Sequence, residues 1–218
     1  MTYAENIQPY LRTNAGKLKQ HIFVSTSNPN EGNDVVVLQV VVTRGLQASG
    51  KSTWAKLLAE HNWDNDSRFC RWVRICKDDI RSMMGEYWVS SREEYISSCV
   101  KTMIYGALME GYCVVFDGLG LKEETIQMVQ QVCMDAARDR WFLMHVRCKV
   151  ELFYKDFPCC VSTCIHRDEL GAKAGNRRRI GESVIRETAE TYEAVLKTLR
   201  SYDSAPYEVC NWTYYNED

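Results

Sequence analysis

Residues 45–52 read Gly-Leu-Gln-Ala-Ser-Gly-Lys-Ser, which fits the spacing Gly-x4-Gly-Lys-Ser/Thr. The chemistry this spacing serves is the holding of a triphosphate. Gly45 and Gly50 let the backbone turn tightly, so that N–H groups along Leu46, Gln47, Ala48 and Ser49 can point at one phosphate chain. Lys51 brings positive charge to the β- and γ-phosphates, and Ser52 offers a hydroxyl to Mg²⁺. The helix entered through Thr53 adds the positive end of its dipole. ATP and Mg²⁺ are the expected ligands.

Further groups could complete a reaction. In Lys77-Asp78-Asp79-Ile80-Arg81, a carboxylate beside the γ-phosphate can accept a hydroxyl proton while that hydroxyl attacks phosphorus. Asp78 is placed for this, and Arg81, one turn on, could hold an anionic group on the acceptor. The competing duty of Asp78 or Asp79 is to cap the helix that starts there. Asp117 ends an apolar run, as a Walker-B-type carboxylate does. Such a residue holds Mg²⁺ or orients a neighbouring basic group; its plainer role is a turn before Gly118.

Asp78, Lys51 and Arg81 are thus the candidate catalytic set, and Ser52 and Asp117 the candidate metal set. The basic segment Lys173 to Arg179 offers Arg177, Arg178 and Arg179 as a lid over the triphosphate, or as a solvated loop. Three consecutive arginines cannot all point inward. Arg167 could contact the nucleotide or pair with Asp168. Tyr87, Trp88 and Tyr95 could stack on bases or pack in the core. Cys159, Cys160, Cys164 and His166 are metal-ligating types, but they lack the paired Cys-x2-Cys elements of zinc modules.

These groups need strands and helices to position them. Val35 to Val42 is apolar except for Gln39 and rich in β-branched residues, which predicts a strand buried on both faces. A helix over 53–61 follows, with Trp54, Leu57 and Leu58 on one side. The pattern then predicts a strand over 69–76, a short helix over 79–84 and a longer one over 91–110, with Ser91 and Glu94 spaced as a capping box. It continues with a strand over 112–116, a helix over 122–137, a strand over 141–146 and a partly helical stretch over 150–166 broken near Pro158. A helix over 182–199 turns Val184, Ile185, Thr188, Val195 and Leu199 inward, and an edge strand lies within 206–214. Such alternation implies an α/β fold: a mostly parallel sheet covered by helices on both faces, with ligands outside the C-terminal ends of its strands. Residues 1–34 read as an N-terminal extension and 35–218 as the P-loop domain.

The 218 residues carry a formal net charge of −2, so bulk electrostatics does not announce a nucleic-acid binder. No apolar stretch is long enough to span a bilayer, and the polar start carries no secretory signal. Ten cysteines, several among apolar neighbours, suit reduced thiols in a cytoplasmic protein. No feature of the sequence speaks to oligomeric state.

The order Gly45-x4-Gly50-Lys51-Ser52-Thr53-Trp54-Ala55, Lys77-Asp78-Asp79-Ile80-Arg81, Val114-Val-Phe-Asp117 and Ile165-His-Arg167-Asp168 resembles the phage-type 5′-polynucleotide kinase family. The resemblance covers about residues 36–195 and closes on Ile180 to Arg186 at the head of a helix. It implies a P-loop kinase that moves the ATP γ-phosphate to the 5′-hydroxyl of DNA or RNA, in the setting of nucleic-acid repair. It also implies Asp78 as general base, Arg81 on the acceptor phosphate, Lys51 and Ser52 on ATP and Mg²⁺, and Asp117 in support. The chain has Gly171 where family members often carry an arginine, which leaves Arg177, Arg178 or Arg179 for the lid. It has Gly118-Leu119 where they often carry Thr-Asn. Two other readings stand beside this one. The fold could phosphorylate a nucleoside, a hydroxymethylated base in DNA or a small alcohol, or the chain could be a nucleotide-dependent regulatory protein.

Overall fold

Leu38, Val40, Val41 and Val42 are fully buried, as a run apolar on both strand faces requires. They belong to β1 (Val36–Arg44), the middle strand of the sheet. The computed structural model describes residues 36–60, 71–85, 89–139, 144–153, 161–175, 179–202 and 212–214. The other strands are β2 (Trp72–Cys76), β3 (Cys113–Asp117), β4 (Met144–Leu152) and β5 (Trp212–Tyr214). Their order is β2-β3-β1-β4-β5. The first four run parallel, and β5 pairs antiparallel with β4 as an edge strand.

The helices are α1 (Lys51–Glu60), α2 (Lys77–Met83), α3 (Glu93–Met109), α4 (Glu123–Asp139), α5 (Val161–Lys173) and α6 (Glu182–Tyr202). The step from β1 to β2 runs one way across the sheet, and the steps to β3 and β4 run the other way. Right-handed crossovers then put α1 on one face and α3 and α4 on the opposite face. In agreement, α3 and α4 pack on one another. The reversal falls between β1 and β3, which opens a crevice at their C-terminal ends.

Several expectations are corrected. The fourth strand runs to Leu152 instead of yielding to a helix at Val150, because β4 pairs with β1 along its whole length, up to Arg44 with Leu152. Val146, Cys148 and Val150 alternate into the core, and the next helix begins at Val161. Pro158 lies outside the described residues. Ser91 does not cap α3: it sits inside a 3₁₀ turn, Ser90–Arg92, and Arg92 holds the N-cap position without a side-chain cap bond. In α6, Ile185 is buried as expected and Ala189 and Tyr192 are buried beside it; Thr188 and Val195 are half-buried, Val184 is exposed, and the side chain of Leu199 lies outside the described residues. The spacing of 4 and 3 along one seam excludes its neighbour at 184. The second and first helices start earlier than expected, at Lys77 and Lys51.

All six cysteines among the described residues are free, and five of them are buried. No described helix is long and apolar enough to cross a membrane.

Candidate active site

The loop after β1 closes on itself. The Lys51 ammonium is buried and donates to the Gly45 carbonyl at 3.0 Å, to the Leu46 carbonyl and to Ser49 Oγ at 3.3 Å. A side chain on Gly45 would stand 2.9 Å from Cβ of Phe153, which leaves no room for one. Gly50 lies at φ 101°, in the region that favours glycine. Ala48 takes φ 59° without being glycine, a conformation costing an L-residue about 1 kcal/mol. Ala48→Gly is therefore expected to raise stability by about 0.5 kcal/mol, the relief exceeding the added chain entropy. A urea midpoint that falls in this variant would show that the loop is not strained there.

The base of the loop is braced by the turn after β3. The Thr43 hydroxyl donates to the Gly118 carbonyl at 2.9 Å and accepts from Gly118 N–H at 3.0 Å. Gly45 N–H donates to the Leu119 carbonyl at 3.0 Å, and the buried Arg44 donates through Nε to the Gly120 carbonyl at 2.5 Å. Gly120 lies at φ 59°, and a Cβ there would collide with the Thr43 carbonyl. The backbone of Gly118 and Leu119 thus buttresses the loop after β1. On its other flank, Leu46 is buried with Cys164, Ile185, Ala189 and Tyr192, and the Gln47 amide donates to Thr188 Oγ1 at 3.0 Å. The loop is thus held by α5 and α6 as well as by the sheet.

Ser52 and Asp117 meet, with the serine hydroxyl 3.2 Å from Asp117 Oδ1. Asp117 is 2% exposed, and its other oxygen accepts from Arg74 Nε at 2.8 Å and Nη2 at 2.7 Å. Arg74 also donates through Nη1 to Asp79. Burial works against the Arg74 charge, but Asp117 outweighs it and raises the guanidinium pKa. Burial and then the charge of Asp117 push the Cys76 thiol up to about 11, so it stays protonated at neutral pH. Reading the sequence missed Arg74. Its signal was one charge in the otherwise apolar Trp72–Cys76, the strand that pairs with the Asp-tipped β3.

Asp78 lies in the first turn of α2 with its carboxylate half exposed, and Arg81 Nη1 donates to it. Arg81 turns its other edge to α3, where Nε and Nη2 reach the two oxygens of Glu93 at 2.8 and 2.7 Å. The hydrogen bond to Glu93 raises the Arg81 pKa, and the same bond lowers that of Glu93. One turn along both helices, Lys77 Nζ donates to Ser97 Oγ at 2.8 Å, and burial lowers its pKa. Sequence reading missed Glu93 and Ser97.

The remaining candidates fall apart from this cluster. Arg167 is half-buried on α5, and the buried Asp168 accepts from the backbone N–H of Ile180 and Gly181, both at 3.0 Å. It thereby ties α5 to the head of α6. Arg179 is exposed and pairs with Glu169 at 3.1 Å; Arg177 and Arg178 lie outside the described residues. Cys164 is buried and His166 exposed, while Cys159 and Cys160 lie outside the described residues. Tyr95 is exposed, and Tyr87 and Trp88 are not among the described residues.

A family model for the AAA domain matches residues 40–199. The chain belongs to the AAA-domain family. No curated protein matches the sequence. Among solved structures, this AAA-domain protein is similar to a chain of the Pnkp1/Rnl/Hen1 RNA repair complex, with 19% identity and a TM-score of 0.56 over 83% of its length. It spans only 50% of that matched chain. It is also similar to the Mycobacterium tuberculosis APS kinase CysC in complex with AMPPNP and APS (16% identity, TM-score 0.43, 65% of this chain and 76% of that one). A gluconokinase from Sinorhizobium meliloti 1021 matches at 16% identity and a TM-score of 0.41, over 70% and 74% of the two chains. The AAA-domain chain has a kinase-like P-loop fold, with the glycine-rich loop at residues 45–52 at the sheet's switch point.

Proposed function

We propose that the chain is an ATP-dependent kinase that transfers the γ-phosphoryl group to the 5′-hydroxyl of DNA or RNA. The observation that carries this reading is the half-exposed carboxylate of Asp78, on the same sheet edge as the phosphate loop and the Ser52–Asp117 pair. A loop that only bound nucleotide would have no use for a carboxylate there. The acceptor oxygen forms a bond to the γ-phosphorus, the bond to the β,γ-bridging oxygen breaks, and ADP leaves. Asp78 takes the proton of the attacking hydroxyl. Arg81 fixes the Asp78 carboxylate in place. Lys51 supplies charge to the β- and γ-phosphates from inside the loop.

Ser52 Oγ and Asp117 Oδ1 converge as hard oxygen donors, a set suited to Mg²⁺. Bound there, Mg²⁺ would offset charge on the phosphates. Arg74 keeps the second Asp117 oxygen occupied, so that Oδ1 faces Ser52.

A nucleic-acid acceptor is favoured by the shared fold with a chain of an RNA repair complex and by the order of motifs from Gly45 to Asp168. The test is a panel of acceptors with labelled ATP: 5′-hydroxyl DNA and RNA, nucleosides and small alcohols. Transfer to the oligonucleotides above the small alcohols supports the reading; transfer to small alcohols alone rejects it.

A further inference from the structure

Leu46 and Gln47, the second and third residues of the glycine-rich loop, both send their side chains to α6. Leu46 is 1% exposed and shares a small core with Cys164 of α5 and with Ile185, Ala189 and Tyr192 of α6. This core is separate from the large one on the sheet. Among the described residues, those that join Leu46 in it from outside α5 and α6 are Ala48, in the same loop, and Leu121, just past the turn that braces the loop. The Gln47 amide donates to Thr188 Oγ1 at 3.0 Å, and Thr188 stands three residues from Ile185 on α6. Asp168 ties α5 to the head of α6 through the N–H groups of Ile180 and Gly181. The two helices therefore offer the loop a single seat.

A phosphate loop works when its N–H groups point at one place. Glycines make that geometry reachable but leave many others open, and giving those up costs entropy. A buried leucine and a held glutamine on consecutive residues remove much of that freedom before a phosphate arrives. Preorganisation of this kind raises affinity without touching the ligand. We propose that Ile185 and Thr188 of α6 are positioning residues for the nucleotide: they seat Leu46 and Gln47, and through them hold the loop in the form that takes a phosphate chain. Linkage makes the effect reciprocal, so a filled loop tightens α5 and α6 on it by the same factor that the seat lends to binding. The inference rests on the reading above for ATP binding alone, and no step of the transfer enters it.

The experiment is calorimetric titration of the full chain with a non-hydrolysable ATP analogue and Mg²⁺, beside amide hydrogen exchange with and without the analogue. Ile185→Ala empties part of the seat and is expected to weaken Kd about tenfold. Thr188→Val keeps the shape of the side chain, removes the partner of Gln47 and is expected to weaken Kd about threefold. Ile104→Ala is the control: the same change at an equally buried position of α3, in the other core. It should alter Kd by less than about twofold. In the unaltered protein, saturating analogue should slow exchange in α6 around Ile185 to Tyr192 by about tenfold. Leu46→Ala, also saturated, should lose that gain. Kd within about twofold of the unaltered value in both α6 variants would overturn the proposal. So would an equal loss in Ile104→Ala, or exchange in α6 that ignores the analogue. Failure of the unaltered protein to bind the analogue would remove the kinase reading and this inference together. Binding with the expected shifts but no transfer from labelled ATP would reject the kinase reading and keep the role of α6.

Discussion

Asp78→Asn is expected to lower phosphoryl transfer by about 10³-fold, the scale on which a positioned proton acceptor contributes. The substitution keeps the size of the side chain and removes its capacity to take the proton. Little else should change. The Asp78–Arg81 pair joins a half-exposed carboxylate to an arginine that Glu93 holds independently. Exposed ion pairs contribute less than about 1 kcal/mol, so the urea midpoint should barely move. Nucleotide affinity should also persist, because the loop is braced by Thr43, Arg44 and the turn at Gly118 to Gly120, none of which touches Asp78. The check is a single-turnover rate beside a nucleotide-binding titration. A rate within about threefold of the unaltered protein would exclude Asp78 as the base.

The second large effect is on stability. Arg74→Met should destabilise the fold by about 3 kcal/mol, since it strands the buried Asp117 carboxylate. Asp117→Asn alone leaves Arg74 its contact with Asp79 and should cost less. The double variant Arg74→Met/Asp117→Asn should recover a large part of the loss, because neither charge is then buried alone. Chemical denaturation of the four proteins closes the cycle. Simple additivity of the two losses would mean that Arg74 and Asp117 do not act as a unit.

Much of this was legible in the sequence, for local reasons. The glycines, Lys51 and Ser52 lie within eight consecutive residues, and the strand before them is apolar on both faces. Helices with one apolar seam, such as the one bearing Ile126, Val129, Val132 and Cys133, follow from their period alone. The unread parts depend on neighbours in space. Arg74 and Asp117 stand 43 positions apart, and only the parallel register of β2 on β3 brings them together. Glu93 looked like part of a helix start, and its partner Arg81 lies on another helix. The end of β4 was set by β1, whose last residues pair with Glu151 and Leu152. Ser91 had the right spacing for a cap, but a cap also needs a non-helical backbone, which the 3₁₀ turn denies it.

The full chain is incubated with γ-labelled ATP, Mg²⁺ and a 5′-hydroxyl oligonucleotide, beside a matched oligonucleotide whose terminal nucleoside is 5′-deoxy. The labelled product is digested to nucleoside 5′-monophosphates. The prediction is label in the terminal nucleoside 5′-monophosphate of the first oligonucleotide, none in the second, and none with Asp78→Asn. Equal label in both oligonucleotides would place the acceptor elsewhere, and absence of label from both would contradict the proposed reaction.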